Sequence, residues 1–160
     1  MSVARNTFYL TAASVAQKVI AFVYFTVLAN HLGAAQTGEY FLALSLIVMF
    51  SVFADWGVTS VIIRDIATQS ERAGQTLREA IGLKIPLTVF SVLAVVAFSY
   101  ALGYDMRVIQ LVALATPILA ADGISTLFYG VLRGQQNLRY EAVGIFIGQL
   151  ASASLGAVVL

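Results

Sequence analysis

Cysteine is absent from the chain and histidine occurs once. The first absence excludes disulfides, thiolate metal sites and cysteine nucleophiles, and the second leaves too little for a metal cluster or a catalytic triad. Charge is scarce as well: 11% of the 160 residues are Asp, Glu, Lys or Arg, against about 25% in a soluble domain. Apolar residues fill the gap, at 60% of the chain and a mean hydropathy of +0.90. This is the composition of an integral membrane protein. The formal net charge of +1 carries no nucleic-acid signal, because in a membrane protein the placement of charges matters more than their sum. No long hydrophilic stretch offers a carboxylate pair or a metal site, so neither an enzyme nor a cofactor is expected.

The expected fold class is all-α, a multi-pass transmembrane helix bundle of about five helices. Spans fall at roughly 7–32, 39–63, 82–103, 108–132 and 141–160, each near the ~20 residues that cross the hydrocarbon core. The last run reaches Leu160 without a closing charge or turn, which reads as the N-terminal fragment of a longer protein. A cleaved signal peptide is the competing reading of the start, but Gln17 and Lys18 split an apolar region already too long for one. Arg5, Arg64, Arg72, Arg78, Lys84, Arg133 and Arg139 fall on one side and Arg107 alone on the other. The positive-inside rule then places the N-terminus and the 64–81 and 133–140 connections in the cytoplasm.

Three spans carry an internal charge, and a charge in hydrocarbon costs enough to read as functional or as paired inside a bundle. In the first, Thr7, Thr11, Ser14 and Lys18 follow helical spacing, with Gln17, Tyr24 and His31 beside them, giving a polar face that should look at protein or water. Interhelical hydrogen bonding alone would account for Thr, Ser and Gln, and His31 reads as an interfacial residue. The second holds Asp55-Trp56-Gly57, with Ser51, Asp55 and Thr59 on one face. Gly57 there permits a close helix contact or a local bend. In the fourth, Asp122, Ser125, Thr126, Tyr129 and Arg133 form a continuous stripe after Pro117, a kink position. Asp55 and Asp122 are the candidates for ion coupling or for charge pairing, with Lys18 as their expected partner.

The remaining stretches read more blandly. Thr68-x-x-Glu71 and Thr76-x-x-Glu79 have the form of capping boxes and predict short helical turns leading into span three. That span has only Thr88, Ser91 and Ser99 as polar residues beyond Pro86 and is expected to be the most lipid-exposed. Gly144, Gly148, Ser152 and Gly156 line up at four-residue spacing in span five, a ridge for close helix packing.

Arg5-Asn6 before the first span, Leu32-Gly33 and Gly38-Glu39-Tyr40 at its outer turn, Asp55-Trp56-Gly57, and Arg64-Asp65-Ile66-Ala67 occur in an order that resembles the polysaccharide biosynthesis (oligosaccharide flippase, Wzx-type) family. Arg133-Gly134-Gln135-Gln136-Asn137 looks like that family's connection into its fifth helix. The chain departs from the family at Asn30, where a basic residue is common. The resemblance implies the multidrug/oligosaccharidyl-lipid/polysaccharide exporter superfamily, whose members have two six-helix lobes around a cavity with alternating access. It implies a polyprenyl-diphosphate-linked oligosaccharide as substrate, moved from the inner to the outer face of the cytoplasmic membrane.

A diphosphate needs cations and hydrogen-bond donors in a cavity. Lys18, Arg64 and Arg133 are the candidate cations, and Thr11, Ser14, Gln17, Tyr24 and Tyr129 are suited to sugar hydroxyls. Expected partners are the lipid-linked oligosaccharide, membrane lipids, a coupling ion (a proton or sodium) and other polysaccharide-assembly proteins. Two rivals stand beside this reading. One is a multidrug/cation antiporter of the same superfamily using Asp55 and Asp122. The other is a non-transporting membrane scaffold whose charges only pair helices.

Overall fold

The computed structural model describes residues 3–136 and 138–159, without the side chains of 3–7, Ser70, Ala153 and 155–159. Expectations that fall on Arg5, Asn6, Thr7, Asn137, Gly156 and Leu160 therefore lie outside the described side chains or residues. The chain is all-α, and no strand occurs among the described residues. Its helices are α1 (Val3–Asp55), α2 (Val58–Thr68), α3 (Ala73–Ala101), α4 (Met106–Gly134) and α5 (Leu138–Val159), with one 3-10 turn at Ser70–Arg72.

Among the described residues, Phe8–Asp55, Ala73–Ala101 and Met106–Gly134 are long and apolar enough to cross a membrane. At 48 residues and ~1.5 Å per residue, the first would run to roughly twice the hydrocarbon thickness. Gly33 interrupts it, with φ 75° and ψ 173°, a conformation that glycine enters without the steric cost of a Cβ. The outer turn expected over 33–38 is thus compressed into one residue, and helix resumes before Gly38.

The chain forms two compact units, residues 1–37 with 135–160, and Gly38–Gly134. In the first, α5 lays Ala142, Val143 and Phe146 along Tyr9, Ala12, Ala13 and Ala16 of α1 around a cavity of about 370 Å³. The Arg139 guanidinium stands over the Tyr9 ring, 5.7 Å from its centroid, a cation–π distance. Of the glycine ridge expected on this helix, Gly148 meets no neighbour, since a Cβ there would find nothing within 4 Å.

The second unit stacks two apolar cores along the helix axes. One joins Ala43, Leu46, Ile47, Phe50 and Ala54 of α1 to Val95 of α3 and to Val108, Val112, Ala115 and Leu119 of α4. The other joins Val58, Ile62 and Ile66 of α2 to Ala80 of α3 and Leu127 of α4. Each set recurs at three- and four-residue steps, the stripe a helix buries against its neighbours.

Several boundaries depart from the sequence pattern. Helix α3 begins at Ala73, well before the expected start of span three, and runs on through Pro86. The long 64–81 connection shrinks accordingly, because α2 continues to Thr68 and only a short turn separates it from α3. Neither capping box forms. Thr68 Oγ1 donates backwards to the carbonyls of Arg64 and Asp65, and Thr76 lies inside α3.

Candidate functional site

Between the two cores, at the level where α1 ends and α2 begins, the second unit is polar. Span two is not one helix: Trp56 (φ 37°) and Gly57 (φ 82°) both enter the left-handed region, which an L-residue such as Trp56 occupies only at a steric cost. The break sits immediately after Asp55, so the carboxylate ends one helix and faces the first turn of the next. There Thr59 Oγ1 donates to Asp55 Oδ1 at 2.5 Å.

The second partner of Asp55 comes from α3. Lys84 Nζ donates to the same Oδ1 at 2.5 Å. The lysine side chain is 4% exposed and the aspartate side chain 35%, so the cation is the deeply buried member. Its charge would be costly there without the carboxylate. Lys84 lies well inside α3 and not at a membrane rim, where its place beside the charged 64–81 stretch had put it. It takes the partner position that the sequence pattern assigned to Lys18.

Helix α4 closes the site through glycines. A Cβ at Gly123 would lie 3.3 Å from Lys84 Cε, one at Gly130 3.3 Å from Thr59 Cγ2, and one at Gly134 2.9 Å from Ile66 Cβ. The Lys84 stem crosses α4 over Gly123, and Thr59, Ile62 and Ile66 of α2 rest against Gly130 and Gly134. Seven-, four- and eleven-residue separations put these glycines on one helix face. The polar stripe runs one residue to the side, so Asp122 neighbours the lysine's crossing point.

These elements enclose a cavity of about 500 Å³, whose polar lining is Ser51, Asp55, Thr59, Lys84, Asp122 and Thr126, with Trp56, Gly57 and Leu119 among the rest. Ser51 donates to the Val48 carbonyl and Thr126 to the Gly123 carbonyl, so both hydroxyls are tied to their own helices. Asp122 is exposed in the cavity wall and has no hydrogen bond or ion pair among the described residues. The site thus offers one paired carboxylate, one ammonium, one further carboxylate and the hydroxyls of Ser51, Thr59 and Thr126 in a wall completed by apolar residues.

The other candidates lie elsewhere. Arg64 is exposed on α2 and bonds its neighbour Asp65 at 3.3 Å; Arg133 is exposed near the end of α4, and Tyr129 is half-buried one turn before it. None of these three lines the cavity. Lys18 and Thr11 are exposed, and Ser14, Gln17 and Tyr24 half-buried, within the first unit. Lys84 is the residue that sequence reasoning missed. A signal was present, since Lys84, Thr88, Ser91, Val95 and Ser99 recur at helical spacing and Lys84, Ser91, Val95 and Ser99 are all buried.

Residues 3–160 match the family described as polysaccharide biosynthesis protein. The chain belongs to that family. Stage V sporulation protein B of Bacillus subtilis is a relative, 24% identical over 164 residues that cover 96% of this chain and 32% of that protein. The chain therefore spans about a third of the length of the curated relative it matches. No solved structure matches. Membership agrees with the resemblance carried by Asp55-Trp56-Gly57, and the structure gives that motif a physical reason: it is where a membrane helix stops and restarts around a charge.

Proposed function

We infer that the protein takes part in moving a polyprenyl-diphosphate-linked oligosaccharide from the inner to the outer face of the cytoplasmic membrane. The observation that carries this reading is the polar cavity at the break in span two, set inside apolar helices of a chain that belongs to a polysaccharide biosynthesis family. Purely structural membrane helices gain little from a break and three ionisable groups at one level, whereas a membrane protein handling a polar headgroup needs an irregular, polar interior.

In this reading Lys18, Arg64 and Arg133 receive the diphosphate, the N-terminus is cytoplasmic, and Thr11, Ser14, Gln17, Tyr24 and Tyr129 meet sugar hydroxyls. Arginine holds a diphosphate through a planar fork that lysine does not reproduce, while a charge that only sets topology is replaceable by lysine. Arg64→Lys and Arg133→Lys in the intact protein are expected to keep membrane insertion and lower export of the lipid-linked glycan. Normal surface polysaccharide from both, and from Lys18→Gln, at equal protein level overturns the cationic path.

A scaffold role has one observation in its favour, the Asp55–Lys84 pair, which is satisfied within a single unit. Unchanged polysaccharide export after deletion of the gene, with loss of a partner protein from the membrane, supports that reading over transport.

A further inference from the structure

We propose that the groove between α1 and α5 holds one anionic phospholipid, its phosphate on Arg139 and an acyl chain over the alanines beyond it. Three observations carry this. The groove, about 370 Å³ in volume, is bounded by Val143 and Phe146 over alanines of both helices, with Tyr9 and Arg139 at one end. The exposed Arg139 guanidinium stands over the Tyr9 ring. It enters no ion pair among the described residues.

The groove has the polarity of a lipid. Arg139 is the second residue of α5 and Tyr9 the seventh of α1, so the charged end lies where both helices begin. From that level the lining continues for seven residues along each helix, to Ala16 and to Phe146, which at ~1.5 Å per residue is a depth of about 10 Å. Ala12, Ala13 and Ala142 leave the space there. Water finds no polar partner in such a slot, whereas an acyl chain fills it and gains close contact with both helices.

Charge selects the headgroup. The Tyr9 ring covers one face of the guanidinium and leaves its N–H edges free to donate, a planar fork that suits a phosphate. Among the described residues no carboxylate lines the groove to receive the ammonium of a zwitterionic lipid. In phosphatidylcholine that cation stays near the guanidinium and offsets the attraction. A diphosphate fits less well, because it carries at least two negative charges and Arg139 is the one cation in this lining. A phosphodiester with a neutral headgroup, such as phosphatidylglycerol, matches a single guanidinium. With the N-terminus cytoplasmic the charged end faces the leaflet in which anionic lipids attract basic side chains. The site requires membrane insertion and does not depend on the transport reading.

Native mass spectrometry of the delipidated full-length protein, titrated with dioleoyl phosphatidylglycerol or dioleoyl phosphatidylcholine, tests it. The wild type is expected to hold one phosphatidylglycerol roughly ten-fold more tightly than phosphatidylcholine. Arg139→Gln should remove that preference, and Arg139→Lys should recover only part of it. Ala12→Leu, which fills the slot and leaves every charge in place, should weaken both lipids. Arg72→Gln removes an exposed cation outside the groove and should change neither. Equal binding of the two lipids by the wild type, a measurement that needs no variant, overturns the proposal; so does a preference that survives Arg139→Gln. Absence of any retained lipid means that another part of the protein fills the groove, and overturns it as well. Binding unaffected by Ala12→Leu refutes the acyl slot. Displacement of phosphatidylglycerol by an equal amount of a polyprenyl diphosphate assigns the groove to the transported substrate and refutes the phospholipid. None of these measurements reads glycan export, so the transport reading can fail with the lipid site intact, and the reverse.

Discussion

On one side of the Asp55–Lys84 layer, α1, α3 and α4 meet through Leu46, Ile47, Phe50, Val95, Val112 and Leu119, and the Phe50 ring packs tilted against Phe98 with centroids 5.4 Å apart. On the other side, α2 meets α4 through Ile62 and Ile66 set against Gly130 and Gly134. Large side chains interdigitate in the first core, whereas in the second the α2 side chains lie directly on the glycine backbone of α4. A lipid environment removes most of the hydrophobic drive between helices, so packing has to come from close contact. The first core obtains it from side-chain area and the second from the absence of side chains on one partner. Volume added and volume removed should therefore hurt opposite sides of the layer.

The layer itself is expected to give the largest effect. Lys84→Met leaves Asp55 without its cation and should cost about 3 kcal/mol, the lower end for a broken buried pair, because the aspartate keeps 35% exposure. Adding Asp55→Asn should restore much of that loss in an SDS-unfolding titration followed by circular dichroism. Strictly additive losses would mean the pair is not coupled. Next comes Leu119→Ala in the side-chain core, expected to cost about 2–3 kcal/mol through the cavity it leaves. The same titration on Gly134→Ala should show a loss of about 1–3 kcal/mol from overpacking, since the new methyl meets both Ile66 Cβ at 2.9 Å and the Ile63 carbonyl at 3.1 Å. Gly148→Ala on α5 is the control, with nothing within 4 Å and an expected gain of up to ~1 kcal/mol in helix propensity. Equal responses at the two glycines would erase the distinction between a packing glycine and an idle one. Smallest of all, Arg64→Lys should move stability by under ~1 kcal/mol, as for an exposed ion pair.

Much of the fold was legible because membrane helices announce themselves through apolar length, and Asp55 and Asp122 stood out against that background. Lys84 did not stand out. It lies close to Pro86 and to the charged 64–81 stretch, and hydropathy alone cannot tell a helix that starts at Ala73 from one that starts ten residues later. Moving the start of the helix turns the same lysine from a rim charge into a buried one. The break at Trp56-Gly57 was foreseen only as a bend, because glycine signals conformational freedom without saying whether the chain uses it, and a tryptophan at positive φ has no sequence signal. The glycines of α4 were passed over for the regular ridge on α5. Spacing identifies a face, but only the neighbour's position shows whether that face is occupied.

The ion pair between α1 and α3 has one more consequence, for register. Apolar helices in lipid can slide past one another at little cost, and nothing in a run of Val, Leu and Ala marks one alignment as correct. Lys84 marks one. Displacing α3 by a turn, ~5.4 Å along its axis, would bring Ala80 or Thr88 to the level of Asp55, and neither can neutralise a carboxylate. The next alignment in either direction thus breaks the Asp55–Lys84 pair. A single side chain thereby indexes α3 against the α1–α2 junction, as one buried polar residue can fix the alignment of a coiled coil, and Gly123 fits α4 over the Lys84 stem only once that index is set.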